Sequence, residues 1–348
     1  MLIDGHLHLR KWYDENGTDF FEGLDALMEE RKLSGINLAV LPNHPRGDVS
    51  ANIMAALYKL HNPRAFAHAG IVFESLPIRP QVKEGLEPLE QYEELMEIGF
   101  DGIKLICSKP QDYKLYDLPV SDDFFDAFFK AAEGDGTHIL WHAADPETFW
   151  DIDRIPKHFI ERGWFYGDGT YPSYERIYED IYAVLKKHPL LNVTFAHFFF
   201  LSEHPEKLEK IFESYKNLTI DITPGTEMYE SFNAQPEFYK AFFEKYSDRI
   251  LFGTDTSFPG NGNNLHDSVY RAIATTDKEI PINRGVFKGI GVKDEAVKRI
   301  FSGNFERCVS EKPKEINVSA LKKYIRKYLP LIRDKEYKKR VLVYEKHL

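Results

Sequence analysis

The chain has 348 residues, 43% hydrophobic and 29% charged, with a net charge of -10 at pH 7. Such totals suit a soluble globular protein with one large core or two ordinary ones, and the acidic balance argues against nucleic acid or an anionic membrane surface as the main partner. No apolar run is long enough to span a membrane, no secretory leader is evident, and Cys107 and Cys308 are too few and too distant for a disulfide framework, so a cytoplasmic setting and a small-molecule partner are expected.

The chain opens on "LIDGHLH", which reads as a strand. "TDFFEGLDALMEERKLSG" follows with Phe20, Leu24, Leu27 and Met28 on one helical face and Gly35 as its stop. Further β-rich runs occur at 36 to 42, 66 to 73, 100 to 106, 138 to 144, 192 to 198, 218 to 224 and 249 to 255. Helical stretches separate them at 48 to 62, 81 to 98, 121 to 133, 173 to 188, 202 to 216 and 235 to 247, with Ser173 and Ser202 as N-caps and a last barrel helix between 264 and 310. Eight strands alternating with helices predict a closed (β/α)8 barrel (TIM barrel) over residues 1–310, and 311–348 reads as a C-terminal helical extension packed on it. The overlong stretch 145 to 172 follows the fifth strand and is a candidate lid or pocket wall.

The polar residues fall where this fold carries chemistry. His6 and His8 end the first strand, Lys104 lies late in the fourth, His142 in the fifth, His197 in the sixth, and Asp255 ends the eighth. A chain with this many histidines yields about half an accidental H-x-H, so the pair alone is weak evidence. Residues i and i+2 of a strand share a face, however, so His6 and His8 can both enter the barrel mouth while Leu7 packs outward. A lone His142 or His197 is more often a hydrogen-bonded core histidine, Asp255 alone can cap a segment, and Lys104 alone can pair with Asp101. Their coincidence on five strand ends points instead to a shared metal that satisfies otherwise costly buried groups. Imidazoles, a carboxylate and a lysine suit zinc, with manganese, iron, cobalt or nickel as alternatives.

The remaining histidines read differently. His188 ends a helix, His138 opens a strand at the far end of the barrel, and His61, His158, His204, His266 and His347 read as loop or surface residues; His44 is a weak pocket candidate. Cys107 reads as packing. Arg10 continues the alternation of His6 and His8 and could hold a substrate carboxylate, although a surface role suits it equally. Trp164, Phe165, Tyr166 and Tyr171 could wall a ring-shaped substrate.

At this point the chain resembles the amidohydrolase superfamily, in the amidohydrolase-related branch that has little beyond the barrel. The matching pieces are "DGHLH" (4 to 8), "GIKL" (102 to 105), "LWHAA" (140 to 144), "HPLLNVTFAHF" (188 to 198), "DRILFGTD" (248 to 255) and "IFSGNFER" (300 to 307). The resemblance implies that His6 and His8 bind a first metal with Asp255, and that Lys104, once carboxylated, bridges to a second metal held by His142 and His197. In one-metal members the strand-five histidine joins the first metal, and the strand-six histidine becomes a catalytic or substrate-polarising group. "KLICSKP" replaces the "KLHP" of many relatives, and "DTSFP" is similar to the D-x-x-F-P of the branch's decarboxylases, which implies Phe258 in the pocket.

The expected function is that of a metal-dependent hydrolase with one or two divalent ions, acting on an amide, lactone or ester of a small anionic molecule. Asp255 would serve as the base and His197 as a polarising group. The alternative is non-oxidative decarboxylation of an aromatic or muconate-like acid, as in aminocarboxymuconate semialdehyde decarboxylase. A binding protein that merely retains the ligands is disfavoured by the complete ligand set together with Asp255. Barrels of this type often self-associate, so a homo-oligomer is compatible with the sequence.

Overall fold

In the computed structural model, which describes residues 1–43, 47–73, 87–225, 227–260 and 264–348, all eight β-rich runs become parallel strands. They are β1 (Ile3–Leu9), β2 (Gly35–Ala39), β3 (Ala65–Gly70), β4 (Gly102–Leu105), β5 (His138–Trp141), β6 (Asn192–Phe195), β7 (Leu218–Asp221) and β8 (Ile250–Leu251). Each pairs with its sequence neighbour, and a short β9 (Thr256–Phe258) lies on the free side of β1. The chain just past β8 also bonds β1, through Gly5 N–H to Phe252 O at 3.0 Å and Asp255 N–H to His6 O at 2.9 Å. The curled sheet thus returns to its first strand. Almost every strand residue is buried on both faces, as a helix-covered parallel sheet requires.

Strands β2, β3, β5, β6 and β7 end three residues earlier than their apolar runs suggest, and β8 ends four earlier. His142, His197 and Asp255 therefore lie just beyond the ladders, in the loops that open from the C-terminal rim. The first helix (Phe20–Glu30) buries Phe20, Leu24 and Met28 as expected, but Gly35 does not stop it. Lys32 does, in a left-handed conformation (φ 53°), with Leu33 N–H on Met28 O and Lys32 N–H on Glu29 O, the paired bonds of a Schellman ending. Ser173 caps its helix by accepting from Arg176 N–H, whereas Ser202 lies short of a helix that begins at Pro205. The region from 264 to 310 holds a helix (Leu265–Ala274), an antiparallel hairpin (Ile280–Ile282 with Gly285–Phe287) and a second helical stretch from 294 to 308. His44 and residues 81–86 of one expected helix lie outside the described residues.

The C-terminal extension forms helices Val318–Tyr328 and Lys335–His347. Asn317 N–H bonds Ile98 O at 2.8 Å, Tyr324 meets Asn52 at 2.9 Å, and Tyr344 stacks on Trp12. Among the described residues no helix is long and apolar enough to cross a membrane.

A polar chain crosses the barrel interior below the rim. Asn37 Oδ1 meets His68 Nδ1 at 2.7 Å, His68 Nε2 meets His138 Nδ1 at 2.7 Å, and His138 Nε2 meets Thr194 Oγ1 at 2.7 Å. Asn37 donates its amide to Gly5 O, so its oxygen accepts from His68 Nδ1–H. Then His138 Nδ1–H donates to His68 Nε2, and the Thr194 hydroxyl donates to His138. Both rings are thereby satisfied as neutral species.

Burial depresses both pKa values, to about 3 for His138. Unfolded histidine titrates near 6.5, so the stability this contributes is complete above that pH. It is lost as pH falls below that value, by up to about tenfold in the folding equilibrium per pH unit for a ring that stays neutral in the folded state. The expected result is a denaturant midpoint that drops steadily from pH 6.5 to 4; a flat midpoint over that range would show that the rings titrate normally.

Candidate metal centre

The alternation of β1 decides which of its side chains can reach the rim. Leu7 and Leu9 are buried in the hydrophobic core, and His6 and His8 take the opposite face. Each imidazole is fixed through Nδ1: His6 donates to Asp221 Oδ2 at 2.8 Å and His8 to Ala39 O at 2.6 Å. A carbonyl or an ionised carboxylate can only accept, so the proton of each neutral ring sits on Nδ1 and the Nε2 lone pair points into the mouth. This is the arrangement that outer partners impose on metal-binding histidines.

Both Nε2 atoms face Asp255 Oδ1, His8 at 2.9 Å and His6 at 4.0 Å. Asp255 reaches them from a left-handed backbone position (φ 55°), which Asp tolerates better than most residues, and its N–H is tied to His6 O. Partial desolvation opposes its ionisation, but its contact with His8 and the fields of the surrounding imidazoles of His8, His197 and His6 hold it well below the usual carboxylate range. A lone pair 2.9 Å from a carboxylate oxygen is repulsive unless a proton or a cation lies between them. The donor atoms of His6, His8 and Asp255 all lie within 4.8 Å of one another, so the residues present fit a divalent ion.

Lys104 reaches the same place from β4, with Nζ 3.2 Å from His6 Nε2. Burial lowers the His6 pKa, the Lys104 charge lowers it further, and Asp221 opposes both. Asp221, at the end of β7, escaped sequence reasoning although it is the hub of the rim. Besides His6 it accepts from His197 N–H at 2.8 Å and Thr223 N–H at 3.1 Å. Burial raises its pKa, but these bonds and the His6 and His197 charges outweigh it and leave the value at about 2. The available signal was an Asp inside "LTIDITP", at a strand end matching those of the chosen residues.

His197 follows β6 as the first of four consecutive left-handed residues, His197 to Phe200, a turn held by buried phenylalanines. Its Nδ1 is 3.2 Å from Thr223 O and its ring lies 5.7 Å from that of His6 and 4.9 Å from that of His142. Burial lowers its pKa against the pull of Asp255 and Asp221. His142 lies near this group, but its Nε2 faces Asp145 Oδ1 and Lys109 Nζ, each at 3.4 Å.

The three expected substrate contacts are placed differently. Phe258 pairs in register with Leu9, hence on the helix-facing side, where its ring lies against Gly23; Ser257 pairs with His8 and shares its face. Phe258 therefore packs the outer layer rather than lining the mouth. Arg10 is exposed, one residue past β1, beside a surface cavity of about 620 Å³ shared with Lys11, Asp48 and Arg333. Tyr166 is buried in a small core with Phe149, Ile155 and Phe159, built by the stretch after β5, and its hydroxyl donates to Asp145 Oδ2 at 2.7 Å. His266 is not a surface residue: it is buried, with Nε2 2.8 Å from Asp4 Oδ2.

Comparison with known proteins bears on the fold and the family. Among solved structures the chain is similar to 2,6-dihydroxybenzoate decarboxylase from Rhizobium, at 16% identity and a TM-score of 0.55, covering 88% of this chain and 98% of that one. It is also similar to 5-carboxyvanillate decarboxylase from Sphingomonas paucimobilis (14% identity, TM-score 0.51, 88% and 98% covered). A third is 4-oxalomesaconate hydratase from Rhodopseudomonas palustris (14% identity, TM-score 0.51, 89% and 95% covered). At these identities the likeness speaks for the fold alone. No curated protein matches the chain. A family model described as amidohydrolase matches residues 3–308, nearly the whole barrel, and the chain belongs to the amidohydrolase family.

Proposed function

We propose that the protein is a metal-dependent hydrolase that directs water at the carbonyl of an amide, lactone or ester in a small anionic substrate. The observation that carries this reading is the pair of imidazoles locked through Nδ1, with both Nε2 atoms turned toward Asp255. A divalent ion held by His6, His8 and Asp255, with zinc the first choice and manganese, iron, cobalt or nickel the alternatives, would supply Lewis acidity and lower the pKa of water toward about 7. Asp255, kept ionised, takes the proton of the attacking water and returns it to the leaving group. His197, whose ring lies 5.7 Å from that of His6, polarises the carbonyl oxygen as charge develops. Lys104, beside His6 Nε2, would once carboxylated help to hold a second ion together with His142 and His197.

A second reading, non-oxidative decarboxylation of an aromatic or muconate-like acid with a single ion, is favoured by a different observation. Among the described residues only His6, His8 and Asp255 converge as a ligand group, enough donors for one ion. Metal content per chain, measured on folded protein purified without chelator and supplied with metal, is the first test. Close to two ions supports the hydrolase and directs screening to lactones, esters and amides. Close to one leaves the two readings in competition, and carbon dioxide release from aromatic acids then decides between them. No bound metal overturns both.

A further inference from the structure

The turn after β4 departs from the family pattern, and the stretch after β5 is overlong; the structure joins these two oddities at one carboxylate. Asp145 is buried, with Oδ2 accepting from the Tyr166 hydroxyl at 2.7 Å and Oδ1 in an ion pair with the Lys109 ammonium. The same Oδ1 lies 3.4 Å from His142 Nε2. Lys109 is the residue before helix Pro110–Tyr116, and its ammonium lies 5.2 Å from the Trp164 ring centroid. Tyr166 is fixed in turn by the small core of Phe149, Ile155 and Phe159, with the Tyr171 ring 4.8 Å away. The two segments thus meet at Lys109 and Asp145 on one edge of the His142 imidazole.

We propose that Asp145 is the positioning residue for His142, and that Tyr166 grips Asp145 so that the excursion after β5 sets the orientation of an imidazole on the metal rim. Of the two groups facing His142 Nε2, Lys109 can only donate and Asp145 can only accept. Asp145 can hold the tautomer with its proton on Nε2, which leaves the lone pair on Nδ1 as the ligand atom. Lys109 offsets the Asp145 charge and keeps the carboxylate in place without competing for that proton. The ring of Tyr166 belongs to the excursion's own core, so its hydroxyl carries any shift of the excursion to Asp145 and from there to His142. The inference rests on the proposed metal centre and adds to it a structural link between the pocket wall and the affinity for metal.

The test uses the full-length protein, with Zn²⁺ affinity and stoichiometry measured by competition against a chromophoric chelator and thermal unfolding followed alongside. Tyr166→Phe keeps the ring and its packing and removes only the hydroxyl. It is expected to weaken Zn²⁺ binding by several-fold with little change in the unfolding midpoint. Asp145→Asn should weaken it more, by about 10–100-fold, the usual consequence of losing the partner that orients a ligand. If Asp145→Asn fails to fold, Tyr166→Phe decides alone. Wild-type affinity and stoichiometry in both variants, or in Tyr166→Phe when only that one folds, overturns the inference while leaving the metal centre standing. A wild-type protein that binds no Zn²⁺ overturns the proposed function, and the inference with it.

Discussion

Asp255→Asn is expected to lower turnover by about 10²–10⁴-fold when assayed at saturating metal, the range a positioned acid–base group typically supplies. The substitution is chosen because asparagine tolerates the left-handed backbone at this position and keeps the N–H bond to His6 O, so the fold is not disturbed. What it removes is the anionic oxygen 2.9 Å from His8 Nε2, which in our reading is both a ligand and the proton acceptor. Metal affinity should fall as well, so the assay titrates metal until occupancy matches the wild type and then compares rates on a substrate found by screening. Full activity at matched occupancy would remove Asp255 from the proton-transfer role and leave it a ligand at most. The same comparison discriminates against a binding protein, for which ligand affinity would be indifferent to the change.

Asp221→Asn should act on the same centre from behind. Its carboxylate accepts His6 Nδ1–H, His197 N–H and Thr223 N–H, and an amide cannot serve all three donors. Either a backbone N–H loses its acceptor, or the amide faces His6 with its own N–H and moves the His6 proton to Nε2, where a metal must bind. The expected outcome is a metal affinity about 10–100-fold lower and a folded state about 1–3 kcal/mol less stable. Chelator competition and urea denaturation read the two effects separately. Because Asp221 titrates at about 2 in the folded state, its pH-dependent contribution is complete above the unfolded carboxylate range and fades only in strong acid. The acid sensitivity expected between pH 6.5 and 4 therefore belongs to the buried histidines, His68 and His138 together with His6 and His197, whose values burial also lowers.

The fold was legible because its signals are local. Buried parallel strands write themselves as short apolar runs, the helices between them show their apolar stripes at helical spacing, and the period-two rule is enough to place His6 and His8 on one face and Leu7 on the other. Helix endings were less legible, since the left-handed Lys32 stops a helix without the glycine that usually marks such a position. The histidines divided by whether their partners were near in sequence. His188 reads correctly as a helix end, bonded to Val184 O one turn back. His266 reads as surface because nothing nearby betrays Asp4, 262 positions away, which buries it.

The sequence by itself determined the barrel, the rim its polar strand ends reach, and the candidates His6, His8, Lys104 and Asp255 though not Asp221, since strand order and side-chain alternation are properties of short segments. Tertiary structure alone decided which atoms of those groups face one another. Register put Phe258 beside Leu9 against the first helix and left Ser257 beside His8; closure brought Asp221 behind His6; and the excursion after β5 folded its own core to bring Tyr166 to Asp145 and Asp145 to His142. These are contacts between elements far apart in the chain, fixed by the packing of one layer on another. No local periodicity encodes them.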